Sequence, residues 1–202
     1  MRSKPYEKRH HLAVSERSEL RDILGIDVLA GAKKLIGWEL VRGTRRARIV
    51  ETEAYRYADD PACHAFGRTQ MKNMAMFGPP GHAYVYLCYG MHWMLNVVAH
   101  GPGDGSAVLI RAAEPLAGFE TSEILPVGPG RLGKAFGISP ADNDIDLLDP
   151  ASDLRIEPGT PPKDFLIGPR VGLALNKAPD LLWRFADANR LKWISKPRIS
   201  SG

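Results

Sequence analysis

Cysteine is nearly absent from this 202-residue chain: Cys63 and Cys88 are too few for a disulfide framework, so reduced thiols in an intracellular setting are expected. No apolar run approaches the roughly 18 residues of a membrane-spanning helix, which argues for a soluble protein without a membrane partner. The opening stretch MRSKPYEKRHHLAVSERSEL has no apolar core of the kind a secretory signal places after its basic start, so export is not expected. Metal-ligand spacings are missing as well, with no Cys-x-x-Cys, no His-Glu-x-x-His and six scattered histidines. Cys63 and His64 are adjacent, but neighbouring side chains in an extended loop point apart, so adjacency does not make a nucleophilic pair. Asp142, Asp144 and Asp146 have the opening spacing of a calcium loop. Leu147 then stands where that loop needs glycine and Asp153 where a glutamate is usual, leaving a solvated, helix-capping turn. There is no internal repeat and no alternation of strands and helices of the kind that builds a parallel sheet.

What remains is ordinary globular composition, 44% hydrophobic and 25% charged, with a modest net charge of +4. Arg42, Arg45, Arg46 and Arg48 cluster in VRGTRRAR, which reads as a solvated face in preference to a nucleic-acid contact. Residues 1–15 read as a flexible basic tail, residues 16–195 as one domain and residues 196–202 as a second tail. Leu20, Ile23 and Leu24 have helical spacing, and Asp27 is placed to cap a second helix, VLAGAKKLI, that Gly37 ends. GWELVR and RARIVETEAY form a hairpin across RGT. HAYVYLCYG, HWMLNVVAH and SAVLIRAAEP form a three-stranded meander, and GRLGKAFGI is a short helix. The expected class is α+β: a single mixed domain with a curved, mostly antiparallel sheet, packed helices and a protruding β-hairpin.

Alternation in RIVETEAY puts Ile49, Glu51, Glu53 and Tyr55 on one side and Val50, Thr52 and Ala54 on the other. Two residues apart on a strand, the glutamates have Cα atoms roughly 6 to 7 Å apart, which suits a carboxylate working with a water. An inverting sugar hydrolase is one possible use, although two carboxylates leaving the same face do not easily flank a bond. Periodicity does not choose between them. Tyr84 and Tyr86 share a strand face, Tyr89 sits at the hairpin tip, and with Tyr55 and His64 they supply flat side chains near a carboxylate. Asn96 and Arg111 are polar residues on otherwise apolar strands and need partners. Together these groups suit a pocket that sandwiches a flat ligand and hydrolyses a bond to it.

RIVETEAY, His64, MFGPPGHAYVYLCYGMHWMLNVV, GSAVLIRAAEPL and GPGRLGKAFGI occur in an order that resembles the alkyladenine (3-methyladenine) DNA glycosylases, the base-excision-repair family typified by the human enzyme. The likeness runs over about residues 27 to 138. It implies a monofunctional glycosylase, acting as a monomer on double-stranded DNA with damaged purines (3-methyladenine, 7-methylguanine, hypoxanthine) and using no metal and no cofactor. By motif position it implies Glu53, and not Glu51, as the base that activates water, with Arg111 beside that water and the flipped nucleotide's phosphate. Tyr55, His64 and Tyr86 would line and stack on the base, Asn96 would form the pocket floor, and Tyr89 would fill the vacated stack. Arg170, in PRVGL, would contact the DNA backbone. The family usually carries a longer basic helical insertion where this chain has AGFETSEILPV, and here His92, Trp93 and Met94 follow the wedge position. A non-catalytic binder of damaged DNA or RNA would keep the same aromatic pocket.

Overall fold

The computed structural model describes residues 5–67, 71–120, 123–197 and 199. Two helices come first, α1 (Pro5–Leu24) and α2 (Val28–Lys34), then β1 (Glu39–Arg42) and β2 (Arg45–Tyr55). The meander follows as β3 (Ala83–Cys88), β4 (His92–Val98) and β5 (Ala107–Ala117), with α3 (Pro129–Ala135) after it. Three four-residue strands complete the chain: β6 (Leu154–Glu157), β7 (Phe165–Gly168) and β8 (Arg184–Asp187).

All eight strands belong to one antiparallel sheet in the order β3-β4-β5-β2-β1-β6, with β8 pairing the second half of β2 and β7 lying outside β8. β2 therefore has β5 on one side and, on the other, first β1 and then β8. This split curls the sheet around the chain's most acidic strand segment. No helix among the described residues is long and apolar enough to cross a membrane.

Local chemistry explains the elements. Asp27 is extended, and its carboxylate accepts from the Leu29 N–H at 2.7 Å, satisfying one of the orphan donors that start α2. Gly43 has a φ of 55° in the two-residue turn between β1 and β2, a conformation that glycine adopts freely. Leu20 and Leu24, one helical turn apart, are fully buried with Leu35, Ile49, Ile110 and Phe185 in the main apolar cluster between helices and sheet. Burial of each such side chain stabilises the fold by about 1.5 to 3 kcal/mol.

The expected alternation of β2 is broken. Ile49 pairs with Ala113 and Glu51 with Ala112, so Val50 is an extra residue, and a compensating irregularity at Arg111 follows before Thr52 meets Ile110. The bulge puts Ile49 in the apolar cluster with Ala54, on the side where the Thr52 hydroxyl donates to Ala32 of α2. Glu51 and Glu53 leave by the other face. The strand therefore feeds a core upstream and a polar site downstream.

Ordered residues occur in both stretches expected as tails. α1 begins at Pro5, within the stretch expected as tail; proline suits a first helical turn, and EKRHHLAVSE carries enough helix-forming residues to continue it. Pro197 and Ile199 are docked, the first through its carbonyl to Arg184 and the second by burial with Ala186 and Ile194. Residues 1–4, 198 and 200–202 of the expected tails lie outside the described residues. Asp142 is buried against Arg42 and accepts from the Ser139 N–H at 2.8 Å, so the acidic turn is in part a paired, capping structure and not simply solvated.

Candidate active site

A cavity of about 460 Å³ opens on the polar face of β2, within the size range of small-molecule pockets. Tyr55 comes to it from the end of β2, His64 from the loop that follows, and Tyr86 from β3. Asn96 and Arg111 come from β4 and β5, and Tyr89 stands at the mouth. The candidate residues of the 50s, 60s, 80s, 90s and Arg111 thus meet, because the meander and β2 are neighbours in one curled sheet.

The two glutamates differ sharply. Glu51 Oε1 accepts from Arg184 Nε at 2.6 Å, Ser195 Oγ at 3.0 Å and Arg111 Nε at 3.3 Å, and Oε2 accepts from the Ser195 N–H at 2.7 Å. Those donors belong to Arg184, Ser195 and Arg111, and of the three only Arg111 lines the cavity. Glu53 Oε1 accepts from the Val171 N–H at 2.8 Å, while Oε2 accepts from the Tyr55 hydroxyl at 2.8 Å and pairs with Arg111 Nη1 at 3.1 Å. Three donors leave one of a carboxylate's roughly four lone-pair positions open. Glu53 is fully buried, and all three residues that hold it line the cavity, so it stands directly behind the wall.

The electrostatics fix the protonation of the donors. Burial works against the charge of Arg111, but Glu53 and then Glu51 outweigh it and hold the guanidinium above its ordinary value. Burial first, and then the Glu53 charge, push the Tyr55 hydroxyl well above the ordinary tyrosine value. Burial also raises Tyr84 and Tyr86, so all three remain hydrogen-bond donors at neutral pH.

An aromatic cluster forms one wall. His64 lies edge-on to Tyr86, centroids 4.5 Å apart, and its Nδ1 is 2.9 Å from the Tyr84 hydroxyl. Tyr84 and Tyr86 stack at 5.6 Å. Tyr84 was legible as the partner of Tyr86 on one strand face, but not as the residue that orients His64. Asn96 is buried, and its amide donates to the Tyr84 carbonyl across the β3–β4 pair at 3.0 Å. Tyr89 is 86% exposed with a φ of 50°, followed by Gly90 at 69°: the hairpin turn thrusts an aromatic ring into solvent.

Arg170, expected to contact a DNA backbone, is turned into the domain. Its side chain has no exposed surface; it forms a two-pronged pair with Asp60 and donates to the Ala54 carbonyl at 3.0 Å, inside the domain. Arg42, Arg45, Arg46 and Arg48 are partly exposed, and each is paired, with Asp142, Glu123, Glu39 and Glu114 respectively. They are compensated by acids brought from elsewhere in the chain. Val171, Ser195, Arg184 and Asp60 are the contributors with no sequence signal, since each acts through a backbone group or a partner more than 100 residues away. Among the described residues, no group of three or more His, Cys, Asp or Glu side chains is placed to hold a metal ion.

The profile of the family "Methylpurine-DNA glycosylase (MPG)" matches residues 22–191. A DNA-3-methyladenine glycosylase of Arabidopsis thaliana is 42% identical over 186 residues, covering 86% of this chain and 72% of the plant protein. A Rhodopseudomonas palustris protein provisionally named 3-methyladenine DNA glycosylase is 42% identical over 175 residues, 82% of each chain. A Nitrosospira multiformis protein of the same provisional name is 41% identical, covering 82% of this chain and 88% of its own.

Proposed function

The chain belongs to the methylpurine-DNA glycosylase family, and from that premise we propose that it flips an alkylated or deaminated purine out of duplex DNA and hydrolyses its N-glycosidic bond with a water held by Glu53. The substrates in this reading are 3-methyladenine, 7-methylguanine and hypoxanthine. The observation that carries it is the difference between the two buried carboxylates: all three residues that hold Glu53 line a cavity walled with aromatic rings, whereas Glu51 is held mainly by Arg184 and Ser195, which do not line it.

Alkylation at N3 or N7 makes the purine a cation and a good leaving group. Aromatic faces attract such a cation by roughly 0.5 to 2 kcal/mol, and Tyr55, Tyr86 and His64 supply flat surfaces in the cavity. As the bond to the base lengthens, positive charge develops on the sugar, and the Glu53 carboxylate is the anion nearest the pocket wall. A water in its open acceptor position loses a proton to Glu53 as it attacks C1′. Arg111 holds Glu53 in orientation throughout. Asn96, tied to the Tyr84 carbonyl, gives a rigid floor against which the exocyclic amine of normal guanine is disfavoured. Tyr89 is the group that occupies the emptied stack. Arg170 has no DNA contact in this reading.

Glu53→Gln should abolish excision while binding to damaged duplex persists, and wild-type turnover in that variant would sink the assignment. Incubation with a hypoxanthine duplex, followed by heat and alkali, separates an enzyme from a non-catalytic binder, because only an enzyme leaves a strand break. A sugar hydrolase using both glutamates is disfavoured because Glu51 is tied to Arg184 and Ser195, away from the cavity lining.

A further inference from the structure

We infer that the buried Arg170–Asp60 ion pair is a positioning device for Glu53 and for both sides of the base pocket, an inference that rests on the glycosylase reading above. The pair lies where three pieces of the site meet. Arg170 donates to the Ala54 carbonyl on β2 at 3.0 Å, and its guanidinium lies 4.6 Å from the centre of the Tyr55 ring, backing the wall that faces the cavity. Through Asp60 it holds the loop that leads to the opposite wall: Asp60 Oδ1 also accepts from the Ala62 N–H at 2.9 Å, two residues before His64. The next residue along from Arg170 is Val171, whose N–H donates to Glu53 Oε1 at 2.8 Å.

One guanidinium thus fixes β2, the 60–64 loop and the backbone donor of Glu53 in a single frame. Stability alone is a poor account of it. Both side chains have no exposed surface, and Arg170 Nε is buried with no partner, so part of the desolvation cost is unreturned. Fully buried pairs can often be replaced by apolar groups without loss of stability, so what this one contributes is geometry. The planar fork matters: arginine reaches two carboxylate oxygens and a carbonyl while stacking on Tyr55 and, at 5.2 Å, Trp183, which a lysine ammonium does not reproduce.

The test compares the full chain with Arg170→Lys and Asp60→Asn on duplexes carrying one hypoxanthine or one 7-methylguanine. Single-turnover excision is followed over a range of enzyme concentrations. Binding to a duplex with a tetrahydrofuran abasic site, which presents no base to the pocket, and thermal unfolding are measured alongside. The expected result is a loss of about tenfold to a hundredfold in the saturating rate, the size that small misplacements of reacting groups produce. The half-saturating concentration and abasic-site affinity should stay within about threefold in variants that are folded at the assay temperature. Wild-type rates in a folded variant would overturn this inference and leave the glycosylase reading intact. Equal losses in rate and abasic-site binding, or unfolding of both variants, would assign the pair to the fold and overturn it as well. A wild-type chain that excises neither base overturns the glycosylase reading and this inference with it.

Discussion

Glu51 and Glu53 stand two residues apart on one face of one strand, yet their surroundings have little in common. Replacing Glu51 with Gln leaves a poorer acceptor between Arg184, Arg111 and Ser195, so the expected outcome is lower stability, by about 3 to 5 kcal/mol in a denaturant titration, in keeping with breaking a buried ion pair. Glu53→Gln should instead abolish excision. Tyr55→Phe keeps the wall and removes one donor from Glu53. A single-turnover rate lower by about tenfold to a hundredfold, with unchanged abasic-site binding, is expected from the roughly 1.5 to 3 kcal/mol of a hydrogen bond to a charged group. Tyr55, Tyr84 and Tyr86 also set an alkaline limit. Their folded values lie above the ordinary 10.0, so the folded state keeps protons that the unfolded chain releases. Stability from these groups should therefore be level up to about pH 10 and fall as pH rises beyond it, which urea titrations between pH 8 and 11.5 would show. At this scale residue types were legible, and partners across long separations were not. Nothing in ETEAY announces that Ser195 holds one acid and Val171 the other.

Among the elements, the β3–β4 hairpin is held in place from below. On α3, a Cβ added at Gly133 would lie 2.0 Å from the Trp93 carbonyl oxygen, and one at Gly130 would lie 2.8 Å from the His92 ring. The helix therefore touches the strand backbone directly, and the hairpin that carries Tyr89 rests on that contact. Gly133→Ala should destabilise the protein by about 1 to 3 kcal/mol, as overpacking does, and should weaken damaged-duplex binding even in the folded fraction. Tyr89→Ala, at an exposed tip, should leave stability unchanged and weaken binding by about 1 to 3 kcal/mol, the worth of one aromatic stacked on a base. Strands with clear alternation, β1 to β5, and the capped α2 were readable because each carries its signal within its own residues. β6 and β8 are four residues each and take their structure from the strands they pair. The bulge at Val50 was hidden for the same reason, since an extra residue is defined only against a partner strand.

For the whole molecule, the net charge of +4 does not show how many basic residues are tied up in ion pairs. With the β1–β2 arginines paired and Arg170 buried, Arg131 and Lys134 remain exposed on one face of α3, which begins at the cavity-lining Pro129. If that face meets phosphates, Arg131→Ala with Lys134→Ala should lower the slope of log affinity against log salt by about 2, close to 0.9 per phosphate contact, without changing lesion preference. An unchanged slope would place the backbone contacts elsewhere.

Glu51 closes a loop of 144 residues when it accepts from the Ser195 backbone. On a ribosome adding about 5 to 20 residues each second, β2 is made on the order of ten seconds before the segment that completes it exists. Until then Glu51 lacks its backbone donor, and Arg184 has neither the Ser195 nor the Pro197 carbonyl to hold. A chain interrupted before that point has an unfinished acid pair at its centre. The ion-pair cluster around Glu51 is therefore completed late, after the long strands that flank it have been made.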